Sequence, residues 1–361
     1  MTTVRRPLRA QDWDMAELPT GALEVAVEVG AIASALGSIE ERAEAVLHAL
    51  GRVVPFQAAE IALVNPQGSE PVSLVVHGYS DAVRAYFNSA AVVEEYELLG
   101  LDRSCPPMRL CDLPVAPAEV RGWAEYLAPA GYREGLAVGL HTPDGRYIGI
   151  LGLNTDTVAH PTVAARDLIG MLAPVIAHAV DPLRSIAAAA RLIHDAQAGI
   201  VLTRSGGVLP LPGLPTHPLL SEGSAVLGLA ARFARGRAHA SFLCPHPGKP
   251  AKQGHVRITV LACRPWHPHH LAAAVVASPP GDLRGLTPRE LQLLGLLIEG
   301  WSNRRIATAL VVAQRTVATH VEHILAKLDA RSRALATARA LNQGTYVPRQ
   351  LTRTYEGGSQ E

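Results

Sequence analysis

Arg315, Thr316, Ala318, Thr319, Glu322 and His323 share one face of a helix predicted from Gln314 to about Leu328, at about 100° per residue. Most of these side chains donate or accept hydrogen bonds. An arginine early in such a helix can hold guanine O6 and N7 with two of them. The opposite face carries Val317, Val321, Ile324, Leu325 and Leu328 at i, i+4, i+7, i+8 and i+11, a single stripe for burial. A polar front on an apolar back is the layout of a helix that lies in the major groove of DNA. Arg315 and Thr319 are the base-reading candidates, while Glu322 either accepts from a cytosine amino group or repels phosphate. Arg304 and Arg305 open the preceding predicted helix, where no apolar role falls to them, and are assigned to phosphate.

Four short helices from Leu286 to about Gly344 must position these groups. Thr287, Pro288 and Glu290 start the first: a capping side chain, a proline at the first helical position and an acid three residues after the cap. Gly300 closes it, Ser302 caps a second helix from Asn303 to about Leu310, and Ser332 caps a fourth that ends near Gly344. Ala313 precedes the third and offers no side-chain cap. The stretch carries eight Arg and Lys against four Asp and Glu, in a chain whose net charge is only +1.

In the run LTPRELQLLGLLIEGWSNRRIATAL and the following RTVATHVEHILAKLDARSR, the opening Leu286-Thr287-Pro288-Arg289-Glu290, Gly300, Ser302-Asn303, Ile306-Ala307, Thr316-Val317, His320 and Lys327-Leu328 fall in register without a gap. This stretch, about one sixth of the chain, resembles the LuxR-type helix-turn-helix. The resemblance implies contacts to double-stranded operator DNA from Ser302, Asn303, Arg304, Arg305, Arg315, Thr316, Ala318, Thr319, His320, Glu322, His323 and Lys327. This chain departs from the family pattern at Ala313, where Ser or Thr is usual, at Ala318, where lysine is common, and at Glu322, a position often basic.

The 361 residues suffice for two or three domains with their own cores. Only 18% of residues are charged and 4% aromatic, and no apolar run approaches the ~20 residues of a bilayer span. Asp12 and Asp14 follow Arg5 and Arg6 before an apolar leader forms, so a cytoplasmic protein is expected, its four irregularly spaced cysteines free thiols. The predicted fold class is α+β: antiparallel-sheet domains followed by an all-α four-helix module. Residues 1–20 read as an arm. Residues 21–181 follow the order helix, hairpin, helices, hairpin, long exit helix, which resembles a GAF domain. Ser38 and Glu41 form a capping box there. Strands Ala58 to Val64 and Val72 to His77 flank turn residues Asn65, Pro66 and Gly68, and helices are predicted at Asp81 to Phe87 and Glu119 to Leu127.

A further hairpin turns at Pro143-Asp144-Gly145, with Leu136, Val138 and Leu140 alternating with Ala137, Gly139 and His141. Ala164 to about Ile193 is read as one helical stretch kinked at Pro174 and Pro182. Its apolar seam serves either to pair two chains or to pack on its own sheet. Residues 182–278 hold the linking helix and a weakly PAS-like block, 279–285 a linker, 286–344 the helix-turn-helix and 345–361 a tail.

Enzyme chemistry finds no motif: Gly248-Lys249 lacks the spacing of a phosphate-binding loop, and neither Gly-x-Ser-x-Gly nor His-Glu-x-x-His occurs. Cys244, His246, Cys263, His267, His269 and His270 match no closed metal-site spacing, and Val256, Ile258, Val260 and Ala262 as the core face leave Cys263 beside Arg257 and Thr259. Cys105 and Cys111 are read as ordinary thiols. No cofactor and no metal are expected. The function implied is a homodimeric bacterial transcriptional regulator with a small-molecule signal in its N-terminal region and RNA polymerase as a further partner. The rival is an interaction adaptor whose last helices only pack.

Overall fold

The computed structural model describes residues 18–64, 70–193, 195–246, 254–263 and 269–356. The turn at Asn65, Pro66 and Gly68, most of the arm, Gly248-Lys249 and His267 lie outside the described residues. The chain divides after Asp181 into two compact units.

The first unit runs α1 (Ala22–Ser34), α2 (Ile39–Leu50), β1 (Ala58–Leu63), β2 (Val72–His77), α3 (Asp81–Phe87), α4 (Ala90–Leu99), β3 (Met108–Arg109), β4 (Glu134–His141), β5 (Tyr147–Thr155) and α5 (Val163–Val180). The Ser38–Glu41 capping box starts α2 as its residues require. The strands form an antiparallel sheet in the order β2-β1-β5-β4-β3. Alternation gives the sheet two unlike faces. Ile61, Leu63, Leu136, Val138, Leu140, Leu151 and Leu153 pack under α1, α2 and α5. Ala62, Ala137 and Ile150, on the other face, meet the side chains of α3, α4 and the loops after them.

Two expectations need correction here. The sequence predicts no helix between Phe87 and Glu119, yet α4 forms there with its Val92 and Tyr96 buried against that second sheet face. The helix expected at Glu119 to Leu127 is a 3-10 turn at Pro117–Glu119 followed by a π-helical turn at Gly122–Leu127. Glu95 takes the Gly122 amide at 2.8 Å, and the Ala128 amide reaches back five residues to the Trp123 carbonyl at 2.9 Å.

The long exit helix is likewise two helices. α5 keeps Pro174 inside it but ends at Val180, and Asp181 turns extended with its carboxylate on Arg146 at 2.7 Å. Pro182 then opens α6 (Pro182–Arg191), at a position where a missing amide hydrogen leaves no bond unmade. The apolar seam is used within each unit: Leu168, Leu172 and Ala179 face the first sheet, Leu183 and Ala190 the second. α5 is long and apolar enough to cross a bilayer, but half of it is buried in the first unit's core.

In the second unit, β6 (Ala198–Thr203), β7 (Val208–Pro210), α7 (Ala225–Gly236), β8 (His239–Pro245), β9 (His255–Ala262) and β10 (Leu271–Ser278) build an antiparallel sheet ordered β7-β6-β10-β9-β8. Counted from each unit's own first strand, this is the strand order of the first sheet. α7 covers Phe242, Ile258, Val260 and Val275, and α6 covers Val201, Leu271 and Val276. That second cover corrects the polar face expected for Cys263. Thr259 is buried and Cys263 packs beside α6.

The module follows as α8 (Pro288–Ile298), α9 (Asn303–Leu310), α10 (Gln314–Lys327) and α11 (Arg333–Gln343). Thr287 and Glu290 exchange both bonds of a capping box, Ser302 and Ser332 cap α9 and α11, and Gly300 and Gly344 are left-handed. The stretch expected as a tail is instead structural through residue 356. The Tyr346 carbonyl accepts the Leu243 amide of β8 at 2.8 Å, and the Val347 amide donates to the Leu291 carbonyl of α8 at 3.1 Å. This strap crosses α8 at Gly295, where a β-carbon would stand 2.0 Å from the Val347 carbonyl oxygen. α12 (Arg349–Glu356) continues from it with Leu351 buried. Arg257 of β9 donates to the Pro280 carbonyl at 3.2 Å, so the expected linker is tied down as well. Sheet and module share one apolar core.

Ala313 is extended at the start of α10 and makes no side-chain cap bond. Ala313→Ser should stabilise the second unit by about 0.5 to 2 kcal/mol. The change is read as slower amide exchange in the first turn of α10 and a higher urea midpoint. Unchanged protection would mean that the helix start does not need the cap.

Candidate nucleic-acid interface and N-terminal cavity

α10 is held from behind by Val317, Ile324 and Leu328, all buried, with Val321 and Leu325 packed against the same core. Its front presents Arg315, Thr316, Thr319, Glu322 and His323 as exposed side chains, with Ala318 and His320 half-buried. The Thr319 hydroxyl donates to the Arg315 carbonyl at 3.2 Å, so it offers an acceptor to a ligand while that bond lasts. Ser302 and Asn303 are drawn into the module itself. Ser302 Oγ caps α9 by accepting the Arg305 amide at 3.3 Å, and Asn303 Oδ1 accepts from Arg333 at 3.2 Å.

The eight basic side chains divide sharply by what they touch. Arg289 donates to the Leu310 carbonyl at 2.9 Å, Arg339 to the Leu328 carbonyl at 2.5 Å, and Arg333 to the Trp301 carbonyl, so three cations close the ends of α9, α10 and the α8–α9 turn. Lys327 Nζ lies 2.8 and 3.0 Å from the two Glu290 oxygens, with Glu290 only 2% exposed. Burial pushes the Glu290 carboxyl up, but the Lys327 ammonium and the Thr287 amide outweigh it and hold its pKa below the usual value. Lys327, named from the sequence as a DNA contact, is thus the counter-ion of a buried acid.

Arg304, Arg305, Arg315 and Arg331 are the basic side chains left exposed. Arg305 lies 3.9 Å over the Trp301 ring, which Arg349 also meets at 4.6 Å. Arg331, between α10 and α11, is one of the eight bases counted in the sequence, which assigns it no contact.

Among the described residues, the cysteines and histidines singled out in the sequence form no ligand cluster of their own. Burial raises the thiol pKa of Cys105 and of Cys111, and takes that of Cys263 to about 11, away from reactive thiolate. Cys244 is buried on β8, and burial takes His270 down to about 4. Glu290, His320 and His323 do bring ligand atoms within 4.8 Å of one another, but Lys327 already sits on that carboxylate.

A second site opens on the small-residue face of the first sheet. A cavity of about 120 Å³ lies there, lined by Glu60, Glu95, Arg109, Gly152 and Asn154 and walled by the rings of Tyr79, Phe87, Tyr96 and Trp123. Tyr79 donates its hydroxyl to Asn154 Oδ1 at 2.5 Å, and Glu95 Oε2 accepts the Tyr86 hydroxyl and the Gly122 amide at 2.8 Å each. Burial raises the Glu60 carboxyl to about 7, against smaller lowering effects of the Ser73 hydroxyl and Arg84. Nothing in the local sequence of β1 marked Glu60 as a site residue, because its neighbours come from three other strands and the loops above them.

Native Glu60 keeps its proton to about pH 7, whereas the unfolded chain releases it near the ordinary carboxyl value of 4.5. The native state therefore binds more protons in that window. The stability this contributes is full below the lower value and is lost as pH rises through the upper one. Glu60→Gln has nothing to ionise. It should raise the first unit's stability over wild type by roughly 2 to 3 kcal/mol at about pH 8 and leave it within about 0.5 kcal/mol at about pH 4. Thermal midpoints at the two pH values check this, and an equal shift at both would contradict it.

Residues 284–340 match the family model for bacterial regulatory proteins of the luxR family. The chain is 45% identical over 58 residues to the nitrate/nitrite response regulator protein NarP of Escherichia coli (strain K12), a match that takes in 16% of this chain and 27% of that protein. It thus spans about a quarter of that relative's length. Among solved structures, the GAF domain from a phosphoenolpyruvate-protein phosphotransferase (ptsP) of Coxiella burnetii is similar at 16% identity and a TM-score of 0.35, over 46% of this chain and 97% of that one. The VqmA dimer of Vibrio cholerae, from work on LuxR-type receptors, is similar at 20% identity and a TM-score of 0.20, over 34% of this chain and 63% of that one. Residues 284–340 are a LuxR-type helix-turn-helix, and GAF domains are among the structural neighbours of the chain.

Proposed function

We propose that this chain is a bacterial transcriptional regulator that couples a small-molecule signal in residues 21–181 to operator binding by residues 286–344, with residues 182–278 between them. The observation that carries the reading is the exposed polar front of α10, with Arg315 and Thr319 in its N-terminal half, on a helix whose back is fully packed. Such a helix reads base edges from the major groove while neighbouring cations meet phosphate. Of the residues named from the sequence, Arg304, Arg305, Arg315, Thr316, Ala318, Thr319, His320, Glu322 and His323 keep a role at DNA. Ser302 and Asn303 support the start of α9, and Lys327 supports Glu290.

A single helix-turn-helix covers few base pairs, so the working form is a homodimer on paired half-sites. It acts in the cytoplasm, where the operator and RNA polymerase are. We assign it no catalytic activity. The cavity under Tyr79 and Tyr96 is the place for the signal, since concave, largely apolar sites with a few convergent polar groups are where small ligands bind.

Positioning and reading separate by mutation on an operator selected from a random DNA pool. Arg304→Ala should weaken binding to all sequences alike and reduce the salt slope by about one phosphate contact. Arg315→Ala should cost about 1 to 3 kcal/mol on the preferred site and flatten discrimination at one base pair. If Arg315→Ala lowers affinity equally on every operator variant, Arg315 is a phosphate clamp and the reading face lies elsewhere.

A further inference from the structure

Strand register places the cavity's chemistry in one row across the sheet. Glu60 of β1 pairs with Gly152 of β5, and Gly152 with Ala137 of β4. Cross-strand partners share a face, so a carboxylate stands beside two positions with almost no side chain. A β-carbon on Gly152 would meet nothing within 4 Å, although the residue lies inside a nine-residue strand. Protein interiors are otherwise close-packed, and an interior strand glycine facing open space marks a place where something else approaches the backbone.

What approaches is constrained by the walls. Two of the three charged side chains lining the cavity are the acids Glu60 and Glu95. The third, Arg109, is already held by both oxygens of Asp112 at 2.8 and 2.9 Å. Glu60 Oε1 accepts the Ser73 hydroxyl, and Oε2 has no hydrogen-bond partner among the described residues. Above them stand the rings of Tyr79, Phe87, Tyr96 and Trp123, whose faces attract cations. The volume of about 120 Å³ is near that of cavities that take a single aromatic ring, roughly 150 Å³.

We propose that this cavity binds a small organic cation, a protonated amine on an apolar body about the size of one ring, with Glu60 as its counter-ion and the aromatic walls around it. The proposal rests on the reading that the cavity is the signal site and adds the ligand's chemistry. An anion would face two carboxylates. A neutral ligand would at best hydrogen-bond to Glu60 and would leave its charge uncompensated away from bulk water, a cost that the cation removes.

The test is calorimetric titration of the full-length protein at about pH 8 with three one-ring probes of matched body: benzylamine, benzyl alcohol and benzoate. Benzylamine should bind at least about tenfold more tightly than benzyl alcohol, and benzoate most weakly. Glu60→Gln should lower benzylamine affinity about tenfold and leave benzyl alcohol within about twofold. Gly152→Val fills the gap from the strand side and should remove binding of the amine, with circular dichroism melting confirming that the unit still folds. If benzyl alcohol or benzoate binds wild type as tightly as the amine, the cation proposal falls while the cavity remains a ligand site. If none of the three binds, the proposal falls together with the signal role given to the cavity.

Discussion

The buried carboxylate of Glu290 fixes the geometry of the DNA-facing module. It accepts the Thr287 amide at 2.7 Å, which starts α8, and holds the Lys327 ammonium at the far end of α10. A carboxylate 2% exposed cannot stay ionised without such partners, so the same group that begins the first helix must also anchor the third. Arg289, Arg333 and Arg339 extend the principle by closing helix-end carbonyls. Half of the module's basic side chains therefore maintain the frame, and the exposed basic charge is left to Arg304, Arg305, Arg315 and Arg331. The net charge of the segment overstates what phosphate would meet.

The two sheets apply one topology to different ends. In the second unit both faces are closed, by α6 and α7, and the core runs on into the module through the Tyr346–Val347 strap. In the first unit α1, α2 and α5 close the face of large side chains, and α3, α4 and the loops after them cover the other. On that other face the row at Gly152 and Ala137 carries little side chain, so the aromatic rings above it leave a cavity within the covering layer. Its strand alternation of large and small residues is the physical origin of that asymmetry.

Features made by near neighbours in sequence were legible. The capping boxes at Ser38 and Thr287, the β4–β5 hairpin and the apolar stripe of α10 each depend on residues a few positions apart, and the structure places them as their spacing requires. What sequence reasoning missed depends on distant partners. Lys327 meets Glu290 37 residues away, Arg146 meets Asp181 35 residues away and ends α5 there, and Gly295 is small because a strap some fifty residues on crosses it. α4 lacked a side-chain cap bond, and its buried positions Val92 and Tyr96 are too few for a clear periodic signal. The cavity was invisible for the same reason as the Lys327 pairing, since a lone glutamate in β1 acquires meaning only from Gly152 beside it.

The central claim, that α10 lies in the major groove with its N-terminal half toward the bases, is tested most directly by dimethyl sulfate protection of a bound operator. Methylation at guanine N7 probes the major groove, and at adenine N3 the minor groove. The account predicts that full-length protein shields guanine N7 in two blocks roughly one helical turn, about 10 base pairs, apart. Protection confined to adenine N3, or no protected guanine at saturating protein, would contradict it.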